Sequence, residues 1–489
     1  MDLSDYNIAS WIISKALALT YMIAFLSLMP QLLGLYGRRG ILSIDHLLNI
    51  LDKEMKFERF YHVPSLFWFA SSDRSLRFFC LLGLTAATLA LLGFSQTWMF
   101  LLCWIIYLSF VSCGQIFLSY QWDSLLLELG FLGLFFAPFN FEWLTDSFHV
   151  LPPLVLALTW FLLFKLMFLS GLVKLTHKDV SWKNLTALSY HYWTQPLPGP
   201  LAYWMAKLPL NFHKFSTVVM FIVELGLPFL ILFPETRAAA CAGLIFLQVL
   251  IILTGNYAFF NIITILMSLA LLSDRIWHQI FGTLHIPGWN LTPLQNIDDV
   301  ASFIAVLILV PPSLFWIFKT FKEKSKVLDF FLPVMRFLYP FRISNPYGLF
   351  AIMTKSRPEL VIEGSNDGEH WKAYEFRNKP GAPERALPLV APHQPRFDWQ
   401  MWFAALENFN DNLWLQNVIV RLFENSPDVK TLFASCPFAE PPKYLRIQRY
   451  DYHFSTFSEL KEKGLWWTRH LIGPYSQIFE ISDFQGDRN

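Results

Sequence analysis

Residues Val150–Leu172 read VLPPLVLALTWFLLFKLMFLSGL, 23 residues that include one charged side chain, Lys165. An α-helix needs roughly 20 apolar residues to cross a bilayer core about 30 Å thick, so this stretch predicts a transmembrane helix. A lysine at membrane depth is costly unless it pairs with an acid or faces a wet cavity. The stretch therefore indicates both the class of the fold and a first candidate functional residue.

The composition of the chain, taken as a whole, is also apolar. Its 489 residues are 54% hydrophobic and 15% charged, with a mean hydropathy of +0.39, whereas average soluble proteins contain about 25% charged residues. A water-soluble globular enzyme is therefore excluded, and membrane lipid is the expected surroundings. The net charge of +1 gives no electrostatic footprint for nucleic acid, so no nucleic-acid partner is predicted.

Six further stretches are long and apolar enough to cross a membrane, and two shorter runs could be tilted, re-entrant or spanning. The long stretches are Trp11–Tyr36, Arg77–Phe94, Trp98–Leu118, Phe215–Phe233, Ala238–Thr254 and Val300–Phe318. The shorter runs are Leu125–Pro138 and Tyr257–Leu272. The chain is therefore predicted to have seven to nine spans. No removable signal peptide is expected, since Met1 is followed by an acidic segment without a basic region.

Charge divides the chain into two parts. Residues 1–318 hold 33 charged side chains, whereas the last 171 residues hold 42. We expect a helical membrane domain at 1–318, a basic linker at 319–340 and a soluble β-rich domain at 341–489. The predicted fold class is a polytopic α-helical membrane protein with a C-terminal antiparallel β-sandwich (α+β) soluble domain.

The C-terminal part shows strand and turn signals. Asp367-Gly368 lies between two alternating runs, Glu359–Gly364 and His370–Phe376, and this pattern is a strong hairpin signal. Further expected elements are strands at Tyr444–Phe454 and Trp466–Gln477, a helix at Asp398–Asn408 and a second helix that begins after Ser426-Pro427.

Four ionisable residues interrupt the apolar sequence, and all four are candidate catalytic residues: Lys165, Glu224, Asp123 and Glu128. The functional interpretation is a polar cavity in which Lys165 faces one of the three acids. The alternatives are an interior ion pair that fixes helix packing, or snorkelling of the lysine to a helix end. Asp123 is expected at the membrane surface beside Trp122. On one helix Asp123 and Glu128 would be about 140° apart, so they do not form a ready acid–base pair.

Common catalytic and metal-binding motifs are absent from the sequence, and no cofactor or metal is predicted. His177 and His191 share a connecting segment with Lys174 and Lys183, and a solvated loop is the favoured interpretation. Asn256 and Asn261 are expected to form hydrogen bonds across helices.

The side of the membrane follows from basic residues, which mark the cytoplasmic side. They concentrate in Gly37–Asp73, in Val173–Lys214 and at the start of the C-terminal part, whereas Phe139–Phe148 holds Glu142 and Asp146 but no Lys or Arg. Nine spans with an outside N-terminus put all three basic segments on one side. This count favours a cytoplasmic C-terminal domain.

Several long motifs resemble the lipase maturation factor family. In the membrane part these are YQWDSLLLE (Tyr120–Glu128), SGLVKL (Ser170–Leu175), SWKNLTAL (Ser181–Leu188) and YHYWTQPLP (Tyr190–Pro198). In the C-terminal part they are NPYGLFAIMT (Asn345–Thr354), IEGSNDG (Ile362–Gly368), APHQPRFDWQMWFAAL (Ala391–Leu406) and ENSP (Glu424–Pro427). The motifs lie in order and cover most of residues 110–455.

The resemblance implies a polytopic membrane protein that assists folding and assembly of secreted dimeric lipases. It implies an endoplasmic reticulum membrane in animals, with the C-terminal domain in the lumen, in conflict with the count of basic residues. The chain is compact and resembles a bacterial or minimal member, for which the inner membrane is expected. The candidate client-binding residues lie in the C-terminal domain, and they are Asp367, His393, Asp398, Trp399 and Trp402.

An enzyme is the alternative hypothesis. The layout of the membrane part also resembles the helical domain of vitamin K-dependent carboxylases. A membrane-embedded enzyme, carboxylase-like or lipid-modifying, would use Lys165 with Glu224 or Asp123. A transporter is a third possibility, but the sequence shows no internal repeat to support it.

Overall fold

The computed structural model describes residues 5–137, 150–282, 296–322 and 325–484. The sequence has two Asn-Leu-Thr glycosylation sequons, at Asn184 and Asn290. Glu142, Asp146 and the sequon at Asn290 lie outside the described residues. The helices of the first half are α1 Asn7–Leu28, α2 Leu32–Tyr36, α3 Ile44–Met55, α4 Arg59–His62, α5 Asp73–Leu92, α6 Gln96–Cys113, α7 Gln121–Gly133, α8 Pro153–Thr176, α9 Val180–Lys183, α10 Ala187–Thr194 and α11 Ala202–Ala206.

The helices of the second half include one interrupted span. They are α12 Leu210–Phe221, α13 Leu227–Leu230, α14 Arg237–Thr254, α15 Phe260–Leu269, α16 Asp274–Phe281, α17 Asn296–Phe321, α18 Lys326–Leu338, α19 Arg396–Leu406, α20 Leu413–Phe423, α21 Pro427–Lys430 and α22 Phe457–Lys463. A π-helical turn, Ile222–Gly226, joins α12 to α13. Much of the predicted basic linker forms α18.

Seven helical segments of the described chain are long and apolar enough to cross a membrane, and they coincide with the seven long stretches expected from hydropathy. The number rises to eight if α15 and α16, which are bent by 100° relative to each other, count as one span. The chain is therefore an integral membrane protein with a helical membrane part, as predicted.

The two shorter runs, α7 and α15, extend between the same two ends of the helical bundle. Before α7, Tyr120 donates a hydrogen bond to Gln400 of the C-terminal part. After α7, the carbonyl of Ala137 accepts from Thr97, at the start of α6. After α15, Asp274 accepts from Asn7, at the start of α1. Both runs thus begin at the end that carries the C-terminal part and finish at the opposite end.

The C-terminal part is built on antiparallel strands. The strands are β1 Pro358–Ser365, β2 Lys372–Ala373, β3 Glu375–Phe376, β4 Phe433–Ser435, β5 Tyr444–Phe454, β6 Trp467–Pro474 and β7 Phe479–Glu480. One sheet has the order β2-β1-β5-β6 with β7 also on β5, and a smaller sheet pairs β3 with β4. The hairpin expected at Asp367-Gly368 is confirmed as β1–β2, and the fold class is confirmed.

The C-terminal part packs onto one end of the helical bundle, which we call the C-terminal face. Four connecting segments of the membrane part contact it there: 37–41, 114–121, 177–207 and 254–259. Representative hydrogen bonds run from Arg421 to the carbonyl of Gly40, from Arg396 to Phe117, from Tyr203 to Ser455 and from Asn256 to Pro388. The basic segments of the sequence therefore lie on the same side of the bundle as the C-terminal part.

Candidate functional site

Each of the three acidic candidates forms a buried ion pair, and the first of these pairs joins Asp123 to Arg396. Asp123 lies in the first turn of α7 and Arg396 begins α19, and their side chains are 0% and 1% exposed. The guanidinium donates to both carboxylate oxygens, at 2.7 and 2.9 Å, and Tyr107 donates to one of them. Asp123 was expected at the membrane surface, and the start of α7 does lie at an end of the bundle; the carboxylate is buried there because the C-terminal part covers it.

The second pair joins Glu128 to Lys165, inside the bundle. The Lys165 ammonium donates to Glu128 and to Ser313, and the second Glu128 oxygen accepts from the Tyr347 hydroxyl at 2.7 Å and from the Asn345 amide at 3.0 Å. Lys165 is fully buried, which excludes snorkelling. Of the three acids considered for Lys165, the structure selects Glu128, and residues from the C-terminal part complete the network.

The third pair joins Glu224 to Lys174. Glu224 lies in the π-helical turn, a feature that often occurs at functional sites, and both its oxygens accept from the Lys174 ammonium, at 2.7 and 2.8 Å. Gly171 allows α8 to approach this turn, because a Cβ at Gly171 would lie 2.8 Å from Leu225 and 2.9 Å from Glu224. Both charged side chains are 7% exposed.

Sequence reasoning missed two of the three cations. Lys174 was assigned to a solvated loop, but α8 continues to Thr176 and Lys174 is buried. Nine residues separate it from Lys165, which is 2.5 helical turns, so the two lysines leave α8 on opposite sides and pair with different acids. Arg396 is 273 residues from Asp123, and one sequence gives no signal for a pair at that separation.

The five candidate client-binding residues lie in two kinds of surroundings. Asp398, Trp399 and Trp402 are buried, with Asp398 accepting from two backbone amides and Trp402 donating to Thr194 of the membrane part. Burial raises the pKa of Asp398. Burial and two nearby arginines lower the pKa of His393 to about 4, so this half-buried ring is neutral beside Ser27. A client role for these four residues stays a prediction.

Asp367 is the exposed member of the set. Its carboxylate accepts from the backbone amides of His370 and Glu369, at 2.8 and 2.9 Å, and these bonds hold its pKa below the usual range. The geometry is that of a side chain that caps the β1–β2 turn. Its client role likewise stays a prediction.

A cavity of about 480 Å³ lies beside the Lys174–Glu224 pair, between α8, α10, α12, α14 and α15. His191 was expected in a solvated loop, but it lines this cavity and its ring contacts the Tyr257 hydroxyl at 3.3 Å. Burial and the Lys174 charge lower the pKa of His191 to about 4, so the imidazole is neutral. The loop interpretation is wrong for His191, because α10 packs down onto α12.

Metal-binding geometry is absent from the residues that the structure describes: no three His, Cys, Asp or Glu side chains there are grouped so that they could hold an ion. Two of the three pairs use residues of the C-terminal part, so they join this part to the helical bundle.

Comparison with known proteins gives a consistent family match. The lipase maturation factor transmembrane domain matches residues 8–279, and the lipase maturation factor C-terminal domain matches residues 343–477. The chain is 33% identical to lipase maturation factor 2 of Xenopus laevis over 95% of this chain and 81% of that protein. It is 33% identical to lipase maturation factor 2 of Homo sapiens over 96% of this chain and 82% of that protein.

A second group of relatives matches over a similar share of the chain. Lipase maturation factor 1 of Bos taurus is 31% identical over 97% of this chain and 89% of that protein. No solved structure matches the chain. The two domain matches cover most of the sequence and agree with the two structural parts, so the chain belongs to the lipase maturation factor family, as a membrane-embedded maturation factor.

Proposed function

We propose that this protein assists the folding of secreted lipases in the endoplasmic reticulum membrane, with its C-terminal part in the lumen. The names of its relatives, lipase maturation factors 1 and 2, support the client class. Because secreted enzymes fold in the lumen, a surface that receives them belongs on that side. In a bacterial host, the corresponding membrane is the inner membrane.

The observation that carries the proposal is an open strand edge. Strand β6 pairs with β5 on one side, and no strand of the described chain pairs with its other side. Leu471 and Ile472 are 58% and 57% exposed. Leu471 lies opposite Tyr450 and Gly473 lies opposite Arg449, so Ile472 is the extra residue of a bulge, and both apolar side chains are exposed at this irregular point of the edge.

An uncovered strand edge is suited to a folding client. Its free N–H and C=O groups can pair with an extended segment of another chain, and adjacent apolar side chains add contact area. Proteins usually protect such edges against unwanted pairing. We therefore propose that unfolded strands of the lipase pair transiently with β6.

Substituting both Leu471→Lys and Ile472→Lys tests this surface. We expect client capture to fall roughly tenfold, or ~1.4 kcal/mol of binding, because lysines on an edge strand oppose strand pairing. The measurement is co-precipitation of a co-expressed secreted lipase, together with the lipase activity in the medium.

The matched control is Leu413→Lys, which places a lysine at a site that is 67% exposed on α20, outside the sheet. This variant should capture the lipase as well as the unmodified protein does. If the two β6 lysines leave capture unchanged, the client does not bind at this edge.

The orientation has its own test, because basic-residue counting favours the opposite side. Asn184 of the Asn-Leu-Thr sequon is exposed and lies in the 177–207 segment of the C-terminal face. We expect glycosidase-sensitive glycosylation of Asn184 in microsomes, together with glycosylation of an acceptor tag fused after Asn489. Asn184→Gln should remove the first modification only. A tag that stays unmodified and sensitive to external protease would place the C-terminal part in the cytosol.

A further inference from the structure

The cavity beside the Lys174–Glu224 pair opens towards the bilayer. Its outer wall includes Phe215 of α12 and Phe246 of α14, which are 66% and 55% exposed on the outside of two membrane spans. Helix α14 packs closely on α13 and on the π-helical turn, and much less on α12. The two spans therefore diverge towards the C-terminal face, and the gap between them is a lateral entrance for molecules dissolved in the membrane.

The inner side of the cavity, away from the gap, is closed. Leu349 and Phe350 of the C-terminal part cover it, and His191 and Tyr257 add polar groups there. A volume of about 480 Å³ falls within the usual range of ligand pockets, about 300–1,000 Å³. The cavity thus has an apolar entrance and a polar inner end, a shape that suits an amphiphile entering from the bilayer.

The charged groups of the inner end are already paired. The Lys174 ammonium donates to both Glu224 oxygens and to the carbonyl of Ser170, so its three donors are in use. An anionic head group would enter a buried site in which no cation is available to pair with it, and burial of an unpaired charge is strongly unfavourable. The ligand that fits is uncharged.

The side-chain carbonyl oxygen of Asn261 is the group that would recognise an uncharged ligand. This residue lines the cavity and is 2% exposed. Its amide nitrogen donates to Gln248 at 2.7 Å, as expected for a bond between helices, but its carbonyl oxygen accepts from none of the residues that the structure describes. A buried acceptor without a partner costs about 1–3 kcal/mol. A ligand hydroxyl that donates to this oxygen would satisfy it.

We propose that this cavity binds a bilayer acylglycerol with a free hydroxyl, such as diacylglycerol. An acyl chain would occupy the apolar space between α12 and α14, and the hydroxyl would donate to the Asn261 carbonyl oxygen. The inference does not depend on the client: a lipid held between the spans and the C-terminal part would bridge the two parts of the protein.

The test uses the full chain in phosphatidylcholine nanodiscs with a photoactivatable dioleoylglycerol as the probe. Val219→Trp fills the cavity from α12, where Val219 lines it. Val218→Trp is the matched control, since Val218 is 39% exposed on the same span and is not among the residues that line the cavity. We expect Val219→Trp to lower labelling about tenfold (~1.4 kcal/mol) and Val218→Trp to leave it within about twofold, with unchanged melting temperatures for both.

A second comparison tests the hydroxyl. The same probe with its hydroxyl methylated should label the unmodified protein roughly fivefold less, in keeping with the loss of one neutral hydrogen bond. Asn261→Leu should lower labelling by the hydroxyl probe to the level of the methylated one. Equal labelling of Val219→Trp and Val218→Trp would show that the lipid does not bind in this cavity. Equal labelling by the two probes would show that the cavity does not recognise the free hydroxyl. Stronger labelling by a photoactivatable cholesterol would show that the ligand is not an acylglycerol.

Discussion

Replacing Arg396 with methionine is expected to lower the free energy of unfolding by about 3–5 kcal/mol, the cost of breaking a buried ion pair from one side. The substitution leaves the Asp123 carboxyl buried, at 0% exposure, and without its two guanidinium hydrogen bonds. Since the pair joins α7 to α19, the loss should appear as release of the C-terminal part from the bundle. Thermal unfolding in detergent and trypsin cleavage at Arg342, just after α18, would measure it.

The control is Arg421→Met, which also removes an arginine from the contact between the two parts. Arg421 donates to the carbonyl of Gly40 but is 24% exposed and pairs locally with Glu424, so water can replace its contacts and a loss below about 1 kcal/mol is expected. The double variant Asp123→Asn with Arg396→Met should be more stable than Arg396→Met alone, because no unpaired charge remains. Equal stability of Arg396→Met and Arg421→Met would show that the Asp123 pair does not join the parts.

Hydropathy alone predicted the helical part, because a span of about 20 apolar residues has few alternatives in a bilayer. The strands at Tyr444–Phe454 and near Trp467 were likewise predicted from alternation and are confirmed. These are local signals, each contained within about 20 residues. The boundaries of α7 and α15 were less certain, because their apolar runs are shorter than a bilayer requires.

Pairing between distant residues could not be predicted. Arg396 is 273 positions from Asp123, and nothing in one sequence links the two. Lys165 is 37 positions from Glu128; it was expected to face one of three acids, but no signal selected Glu128. The π-helical turn that carries Glu224 has no composition signal of its own. The sequence also did not determine that Trp399 and Trp402 are buried, since an apolar helix in a soluble domain can face either a client or the rest of the protein.

The prediction that separates a structural role from chemistry concerns Lys165. Lys165→Met should lower the free energy of unfolding by about 3–5 kcal/mol, because Glu128 would stay buried without its cation. Lipase maturation, measured as secreted lipase activity, should fall in proportion to the folded protein that remains. A melting curve and quantitative blotting of the membrane fraction give that amount.

Adding Glu128→Gln to Lys165→Met decides between the two hypotheses. The amide removes the unpaired charge, and its oxygen can still accept from Tyr347 and Asn345, so the double variant should regain most of the lost stability. If the pair is structural, lipase maturation per folded molecule stays within about threefold of the unmodified protein, a difference of less than 1 kcal/mol. An intramembrane enzyme that used Lys165 would instead stay inactive while folded, since neither methionine nor glutamine can transfer a proton. Because the network binds helices α7 and α8 to residues 345–347 of the C-terminal part, we expect the double variant to regain lipase maturation.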